Sequence, residues 1–235
     1  MKKILIIKNE SGEGAGLLND VLNELHINTD IVDLNQGIDF PSPLDYGALV
    51  VLGGPDSAND RSEKMIQEIA RIQEAIKGKI PYLGICLGLQ TLVKAGGGQV
   101  VKNPVKETGF RGPDHQLFTI KLTEAGKNDP LFEDLGNNFP VFQLHGETVE
   151  PTPEMTVLGE GTFCKNQIVK VTEKSYGIQC HFELTREMFV QWMDEVDDLK
   201  KIDQEECVAD FCSFYDDYIH TGKQLFRNFI KIAGY

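Results

Sequence analysis

Short apolar runs alternate with segments of helical periodicity through the first part of the chain, and this alternation restricts the fold more than any other feature. The apolar runs that we predict as strands are Ile4 to Ile7, Thr29 to Leu34, Ala48 to Leu52 and Ile80 to Leu83. Between them, one amphipathic helix is predicted through Leu17 to Leu25 and a second through Met65 to Ile76. Strands that alternate with helices form a mostly parallel sheet that is covered on both faces.

The pattern changes at about residue 99. From there to His181, short β-like runs are separated by Gly, Pro, Asn and Asp; these runs are Phe118 to Leu122, Phe139 to Leu144, Thr156 to Leu158, Ile168 to Val171 and Gly177 to Cys180. The last forty residues return to helical spacing, and we expect Gly222 to separate two helices there. No linker divides the chain, so we predict a single domain over residues 1–235 with a helical extension from about 196 to 235.

The charge composition argues against two classes of partner. The chain has 36 Asp and Glu against 23 Lys and Arg, a net charge of −13, and no long basic run. Such a surface repels phosphate backbones and anionic lipid headgroups, so we expect no nucleic acid and no membrane as partners. The first apolar run is interrupted at once by Lys8-Asn9-Glu10, too early for a signal peptide, and we therefore expect a cytoplasmic protein. Five cysteines without metal-ligand spacing indicate neither a disulfide framework nor a zinc site.

The stretch from Tyr82 to Gln90 is the most informative for chemistry. It runs from a strand through Gly84-Ile85-Cys86-Leu87-Gly88 into a helix, the arrangement of a nucleophile elbow with sulfur in place of a hydroxyl group. The glycines allow a tight turn, and the N-terminus of the following helix favours a reactive thiolate. The alternative is that Cys86 is a small buried hydrophobic residue, as many free cysteines are.

A cysteine nucleophile requires a base, and the base requires a group that holds its tautomer. In the segment from Tyr176 to Glu183, an extended backbone would place His181 and Glu183 on one side. A surface histidine near an ordinary glutamate is the alternative. Upstream, Gly53-Gly54-Pro55 ends another strand in a turn that can offer an N–H group to a developing oxyanion, although such turns are also common without function.

These segments, in this order, resemble the class I (triad-type) glutamine amidotransferase family, in a free-standing form similar to the amidotransferase domain of GMP synthase. Two further segments fit the resemblance. Leu144-His145-Gly146-Glu147 looks like the family's His-Gly-Asp segment beside the glutamine site, and Leu225-Phe226-Arg227-Asn228-Phe229 looks like the closing helix of its free-standing members. The resemblance covers nearly the whole chain.

The resemblance implies a fold, a reaction and a set of site residues. The fold is a flavodoxin-like three-layer α/β sandwich with a mostly parallel sheet and an antiparallel excursion. The reaction is glutamine hydrolysis through a γ-glutamyl thioester, without a metal or organic cofactor. The implied residues are Cys86, His181 and Glu183 as the catalytic triad, Gly54 and Leu87 as the oxyanion hole, and Gln90, Leu144 and His145 as substrate-binding residues.

Two departures from the family pattern and one absence leave alternatives open. Phe182 replaces the usual proline of the family's His-Pro-Glu, and Glu147 replaces the more usual Asp. The sequence has no Gly-x-x-x-x-Gly-Lys-Ser/Thr loop for a nucleotide, so the ammonia acceptor is a separate synthase chain or is lacking. If it is lacking, the chain is a γ-glutamyl peptide or amide hydrolase with the same triad. A catalytically idle regulatory relative is the third interpretation, supported by Phe182 alone.

Overall fold

The computed structural model describes residues 2–235. Within them the strands in chain order are β1 (Ile4–Lys8), β2 (Thr29–Asp33), β3 (Ala48–Val51), β4 (Tyr82–Ile85), β5 (Gln99–Gly109), β6 (Thr119–Leu122), β7 (Asn138–Pro140), β8 (Gln143–Glu150), β9 (Thr156–Glu160), β10 (Ile168–Thr172) and β11 (Ser175–Ile178). The helices are α1 (Gly16–Glu24), α2 (Glu63–Lys77), α3 (Leu87–Ala95), α4 (Glu124–Lys127), α5 (Arg186–Glu195), α6 (Gln204–Ser213) and α7 (Tyr215–Ala233).

Nine of these strands form one sheet, in the order β2-β1-β3-β4-β11-β10-β9-β6-β7. The first five in that order are mutually parallel, as the alternation of strands and helices predicts. The remaining four add in antiparallel fashion, because β10 and β11 are joined by a short turn and β9, β6 and β7 continue from them. β11 therefore lies directly beside β4 in the sheet. This pairing places the residues that follow β11 next to the residues that follow β4.

Helices cover both faces of the parallel strands. Ile4 and Ile6 of β1 face one side and pack in a core cluster with residues of α1 and α7. Leu5 and Ile7 face the other side and pack with Ile72 of α2 and with α3. The two-residue period of a buried strand thus supplies both halves of the core, which is the three-layer arrangement.

The antiparallel region differs in detail from the sequence-based prediction. β5 was not among the predicted strands, yet it pairs with β8 as a separate two-stranded antiparallel sheet. The single strand predicted from Phe139 to Leu144 is two strands, because β7 ends at Pro140 and β8 begins at Gln143 in the other sheet.

The prediction that Gly222 separates two C-terminal helices is wrong. α7 is continuous through Gly222, and an added Cβ there would lie 2.4 Å from the carbonyl oxygen of Phe182. The glycine therefore allows close packing of the helix on the segment after β11 and does not end the helix. Helical structure in this part of the chain also begins before residue 196, since α5 starts at Arg186.

An aromatic cluster joins α5, α6 and α7 to the sheet. Its members are all buried in one core cluster: Phe110, Phe142, Phe189, Trp192, Phe211 and Tyr218.

In residues 2–235, none of the helices is both long and apolar enough to span a bilayer.

Candidate active site

Cys86 lies at a strained turn between β4 and α3. Its backbone has φ 52° and ψ −105°, a conformation that a non-glycine residue rarely adopts. An added Cβ on Gly84 would lie 2.2 Å from the carbonyl oxygen of Gly88, and one on Gly88 would lie 2.2 Å from that of Val51. The two glycines flanking Cys86 are therefore required by close backbone contacts, as the elbow interpretation predicts.

His181 and Glu183 form a direct hydrogen bond. Nδ1 of His181 lies 2.6 Å from Oε1 of Glu183, and both side chains are buried. The extended segment expected here ends earlier, because β11 stops at Ile178 and the two residues lie in the bend that follows. The bend nevertheless brings the two side chains together.

The electrostatic surroundings favour the imidazolium form of His181. Burial by itself lowers its pKa, but the charge of Glu183, the proximity of Cys86 and the hydrogen bond to Glu183 raise the pKa well above its usual value. Nε2 is buried and makes no hydrogen bond to another residue between 2 and 235. This nitrogen is thus available to exchange a proton with Cys86 or with a ligand.

Aromatic side chains fix the orientation of the His181 ring. Trp192 of α5 packs against it edge to face, with ring centroids 5.0 Å apart at 85°, and Phe142 lies on another side at 6.4 Å. The hydroxyl group of Tyr218 donates a hydrogen bond to the His181 carbonyl oxygen. The C-terminal helices therefore support the site, and the sequence analysis did not assign them this role.

Gly54 and Leu87 lie next to each other at the edge of the same cavity. An added Cβ on Gly54 would lie 3.4 Å from Cδ2 of Leu87, and both residues line the cavity with Cys86. Neither N–H group donates a hydrogen bond to another of the described residues. Two free N–H groups beside the Cys86 thiol are suited to hold an oxyanion.

The cavity has a volume of about 540 Å³. Of the residues predicted for the site, all but Glu183 line it, and Glu183 lies behind His181; the lining members are Gly54, Cys86, Leu87, Gln90, Leu144, His145 and His181. Nε2 of Gln90 donates to the carbonyl oxygen of Glu147 at 3.3 Å and to Oε1 of Gln179 at 3.4 Å. The Cys86 sulfur lies 3.9 Å from the carbonyl oxygen of Leu144.

The imidazole of His145 points into a buried polar cluster. Its Nδ1 lies 2.9 Å from the carbonyl oxygen of Glu147 and its Nε2 lies 2.7 Å from Oε2 of Glu107. Together with Cys164 these groups are close enough to suggest a metal site. However, Cys164 already pairs with the Thr148 hydroxyl at 3.1 Å, and burial raises the pKa of its thiol to about 12. Each of the three side chains therefore has a hydrogen-bond partner in the structure.

Two residues close to Cys86 were missed by the sequence analysis. Nε2 of Gln179 donates to the Cys86 sulfur at 3.6 Å, and the alternation that relates His181 to Glu183 could have indicated it, since Gln179 is two residues earlier. Glu13 lines the cavity from the loop between β1 and α1. No sequence motif that we used singles out this loop.

The comparison with known families identifies the chain. The sequence profile described as glutamine amidotransferase class-I matches residues 15–191. The chain belongs to the class I glutamine amidotransferase family. Among the relatives of this amidotransferase, the glutamine amidotransferase-like protein YfeJ of Salmonella typhimurium is 35% identical over 152 residues, which cover 63% of this chain and 61% of that protein.

GMP synthases are also related to this amidotransferase. GMP synthase from Thermosipho africanus is 33% identical over 148 residues, which cover 62% of this chain and 26% of that protein. A glutamine-hydrolyzing GMP synthase subunit from Methanothermobacter thermautotrophicus is 31% identical over 191 residues, which cover 80% of this chain and 92% of that protein. The matched part is thus less than two thirds of YfeJ, about a quarter of the Thermosipho enzyme, and nearly all of the Methanothermobacter protein.

Solved structures confirm the fold. A glutamine amidotransferase from Methylobacillus flagellatus superposes with a TM-score of 0.86 at 24% identity, covering 99% of this chain and 95% of that chain. One from Thermotoga maritima has a TM-score of 0.85 at 24% identity and covers 100% and 99%. The predicted flavodoxin-like sandwich with its antiparallel part is therefore correct.

Proposed function

We propose that this amidotransferase hydrolyses the side-chain amide of glutamine through a γ-glutamyl thioester on Cys86. The observation that carries the proposal is the position of His181. Its Nδ1 is bound to Glu183 while its Nε2 is buried, without a hydrogen-bond partner among the described residues, on the side of Cys86. This is the geometry that a general acid and base requires beside a nucleophile.

The first half of the reaction releases ammonia. The Cys86 thiolate attacks the γ-carboxamide carbon, a C–S bond forms, and the carbonyl oxygen becomes an oxyanion that the N–H groups of Gly54 and Leu87 stabilise. The C–N bond then breaks, its electron pair goes to nitrogen, and the nitrogen takes a proton from His181. The raised pKa of His181 supports this step, because it keeps a proton on the imidazole for transfer to the leaving nitrogen.

The second half hydrolyses the thioester. His181, now neutral, accepts a proton from a water molecule as the water oxygen attacks the thioester carbon. The C–S bond breaks, glutamate leaves, and the thiolate and imidazolium are restored. Gln90, Leu144 and His145 would hold the glutamyl part of the substrate, since all three line the cavity beside Cys86.

We further propose that the ammonia is used by a separate acceptor chain. The Methanothermobacter relative is a GMP synthase subunit that the match covers almost completely, whereas in the Thermosipho enzyme the match covers a quarter of a longer chain. Both arrangements occur among the relatives, and the nearly complete match to the Methanothermobacter subunit supports a separate chain.

The test is to incubate the purified chain with glutamine and to measure ammonia and glutamate in equal amounts. Acid quenching followed by peptide mass spectrometry should find the γ-glutamyl group on Cys86. The Cys86→Ala variant should form neither product. Ammonia release at the same rate from Cys86→Ala would refute the proposal.

A further inference from the structure

The loop between β1 and α1 carries a carboxyl group to the histidine side of the cavity. A Cβ added to Gly53 would lie 2.9 Å from Oε2 of Glu13, 3.4 Å from Cε1 of His181 and 3.5 Å from Cβ of Cys86. Glu13, His181 and Cys86 thus surround one point above Gly53. Glu13 lines the cavity, and only burial and nearby charges, with no hydrogen bond, shift the pKa of its carboxyl group, which is therefore free to meet a ligand.

This loop is attached to the segment that holds the predicted triad. The N–H group of Leu17 donates to the carbonyl oxygen of Glu183 at 2.9 Å. Gly16 has φ +46°, and an added Cβ there would lie 1.9 Å from the same oxygen. A further backbone bond, from Glu13 to Glu10 at 3.1 Å, closes the turn. The position of Glu13 is therefore set relative to His181.

The charges around Glu13 come from both packed segments. Burial is the largest effect and raises the pKa of Glu13 to about 7; His181 and Lys8 lower it, whereas Glu183 and Glu10 raise it. Glu13 can therefore serve as a hydrogen-bond acceptor in the carboxylate form at mildly alkaline pH.

We propose that Glu13 accepts a hydrogen bond from the leaving nitrogen of the substrate and thereby selects unsubstituted γ-carboxamides. This inference rests on the proposed function. The nitrogen that takes a proton from Nε2 of His181 must lie within hydrogen-bond distance of Nε2. Since Cε1 is bonded to Nε2 and Glu13 lies on the Cε1 side, the same nitrogen comes close to the Glu13 carboxylate.

The number of hydrogens on the leaving nitrogen determines the selectivity. An unsubstituted amide nitrogen has two hydrogens, and it has three after His181 transfers its proton, so it can donate to Glu13 throughout. Glu13 itself neither gains nor loses a proton. An alkyl substituent on the amide nitrogen replaces one of its hydrogens and places an apolar group against the partly buried Glu13 carboxylate. The carboxylate then loses hydrogen bonds to water without gaining others in their place.

The experiment compares glutamine with its N-methyl amide, γ-glutamyl methylamide. Glu13→Gln should lower kcat for glutamine about tenfold with little change in KM. The reason is that the variant lacks the charged carboxylate that accepts a hydrogen bond from the reacting nitrogen. Glu13→Ala should in addition raise the ratio of kcat/KM for the methylamide to that for glutamine about tenfold, since it also makes room for the methyl group.

The pH profile is a second measurement. In the wild type, kcat/KM for glutamine should fall as the pH drops below about 7, and this fall should be weaker in Glu13→Gln.

Glu10→Gln is the matched control. It removes one carboxylate from the same loop. Glu10, however, accepts hydrogen bonds from the Gly12 N–H at 3.4 Å and from the Asn35 amide at 3.5 Å. The Glu10→Gln variant should therefore keep the wild-type ratio of kcat/KM for the methylamide to that for glutamine. Thermal melts and the rate of Cys86 alkylation show whether each variant is folded around the nucleophile.

The outcomes separate this inference from the proposed function. A wild-type chain that hydrolyses neither amide refutes both. An active wild type with an unchanged ratio in Glu13→Ala, including a methylamide rate that stays undetectable, refutes the inference alone. A rise in KM for both substrates to the same extent would also refute it, because Glu13 would then hold the glutamyl part and not the leaving nitrogen.

Discussion

Oε1 of Glu183 lies 2.6 Å from Nδ1 of His181, and both side chains are buried. In the proposed mechanism the carboxylate orients the ring, whereas the ring carries the proton. We therefore predict that His181→Ala lowers kcat for glutamine by about a thousandfold and that Glu183→Gln retains a measurable fraction of activity. Steady-state ammonia release, with circular dichroism to confirm folding, measures both. Undiminished turnover in His181→Ala would exclude the triad, and equal complete loss in both variants would indicate one tightly coupled unit.

Cys86 should be the thiol that a glutamine-analogue electrophile labels. Burial raises the pKa of Cys164 and of Cys207 to about 12 and that of Cys180 well above its usual value, so these three remain protonated. Peptide mapping after labelling measures the distribution. Cys86→Ala should abolish labelling, and Cys212→Ser, which removes an exposed thiol, should leave it intact. Labelling mainly on Cys164 or Cys207 would contradict the elbow assignment.

Glutamine should be a better substrate than a γ-glutamyl dipeptide. A glutaminase that awaits its acceptor chain is expected to be slow alone, while a peptide hydrolase should be fully active as purified. Ammonia release from glutamine and amino-acid release from the dipeptide give the two kcat/KM values. A dipeptide value tenfold or more above that of glutamine, about 1.4 kcal/mol of transition-state preference, would favour the hydrolase alternative.

Phe182, which stands where the family usually has proline, should contribute to stability by packing. Its ring is buried between Phe139, at a centroid distance of 6.1 Å, and Tyr218, at 6.4 Å. We expect Phe182→Ala to lower the free energy of unfolding by about 3–5 kcal/mol, and Phe182→Leu, which keeps an apolar side chain, to cost substantially less. Urea unfolding measures both. A small effect of Phe182→Ala would show that the ring does not compensate for the missing proline.

Glu68 should make the protein less stable at alkaline pH. Its Oε1 lies 3.4 Å from the amide nitrogen of Asn9, its Oε2 has no partner among residues 2–235, and burial raises its pKa to about 7. The stabilising protonated form is complete below the unfolded value of 4.5 and is lost as the pH rises through 7. Relative to wild type, Glu68→Gln should gain about 3 kcal/mol of stability between pH 4 and pH 9.

Urea unfolding at several pH values tests this, with Glu63→Gln, on the exposed side of the same helix, as the control for loss of one carboxylate. A stability difference between wild type and Glu68→Gln that does not change with pH would contradict the prediction.

The parts of the site that lie close together in the chain were predictable. Gly84, Cys86 and Gly88 are within five residues, and the close backbone contacts that require glycine there are made by the turn and the adjacent strand. His181 and Glu183 are two residues apart, so their pairing needs only a local bend. Likewise, the buried parallel strands are recognisable as continuous apolar runs because both faces are covered.

The remaining features depend on which distant segments become neighbours. β5 is largely polar and was missed, because its strand conformation comes from pairing with β8 about forty residues later. α7 continues through Gly222 because the segment after β11 packs against it. Gln179 and Glu13 come near Cys86, and Trp192 comes near His181, only because β11 lies beside β4 and the ends of the parallel strands meet at one edge of the sheet.

The sequence by itself therefore determined the turn at Cys86, the pair of His181 and Glu183 and the alternation that makes the parallel sheet, since each is encoded within a few residues. The tertiary structure alone decided which side chains surround Cys86. Strand order is the result of packing summed over the whole core, and no local pattern contains it.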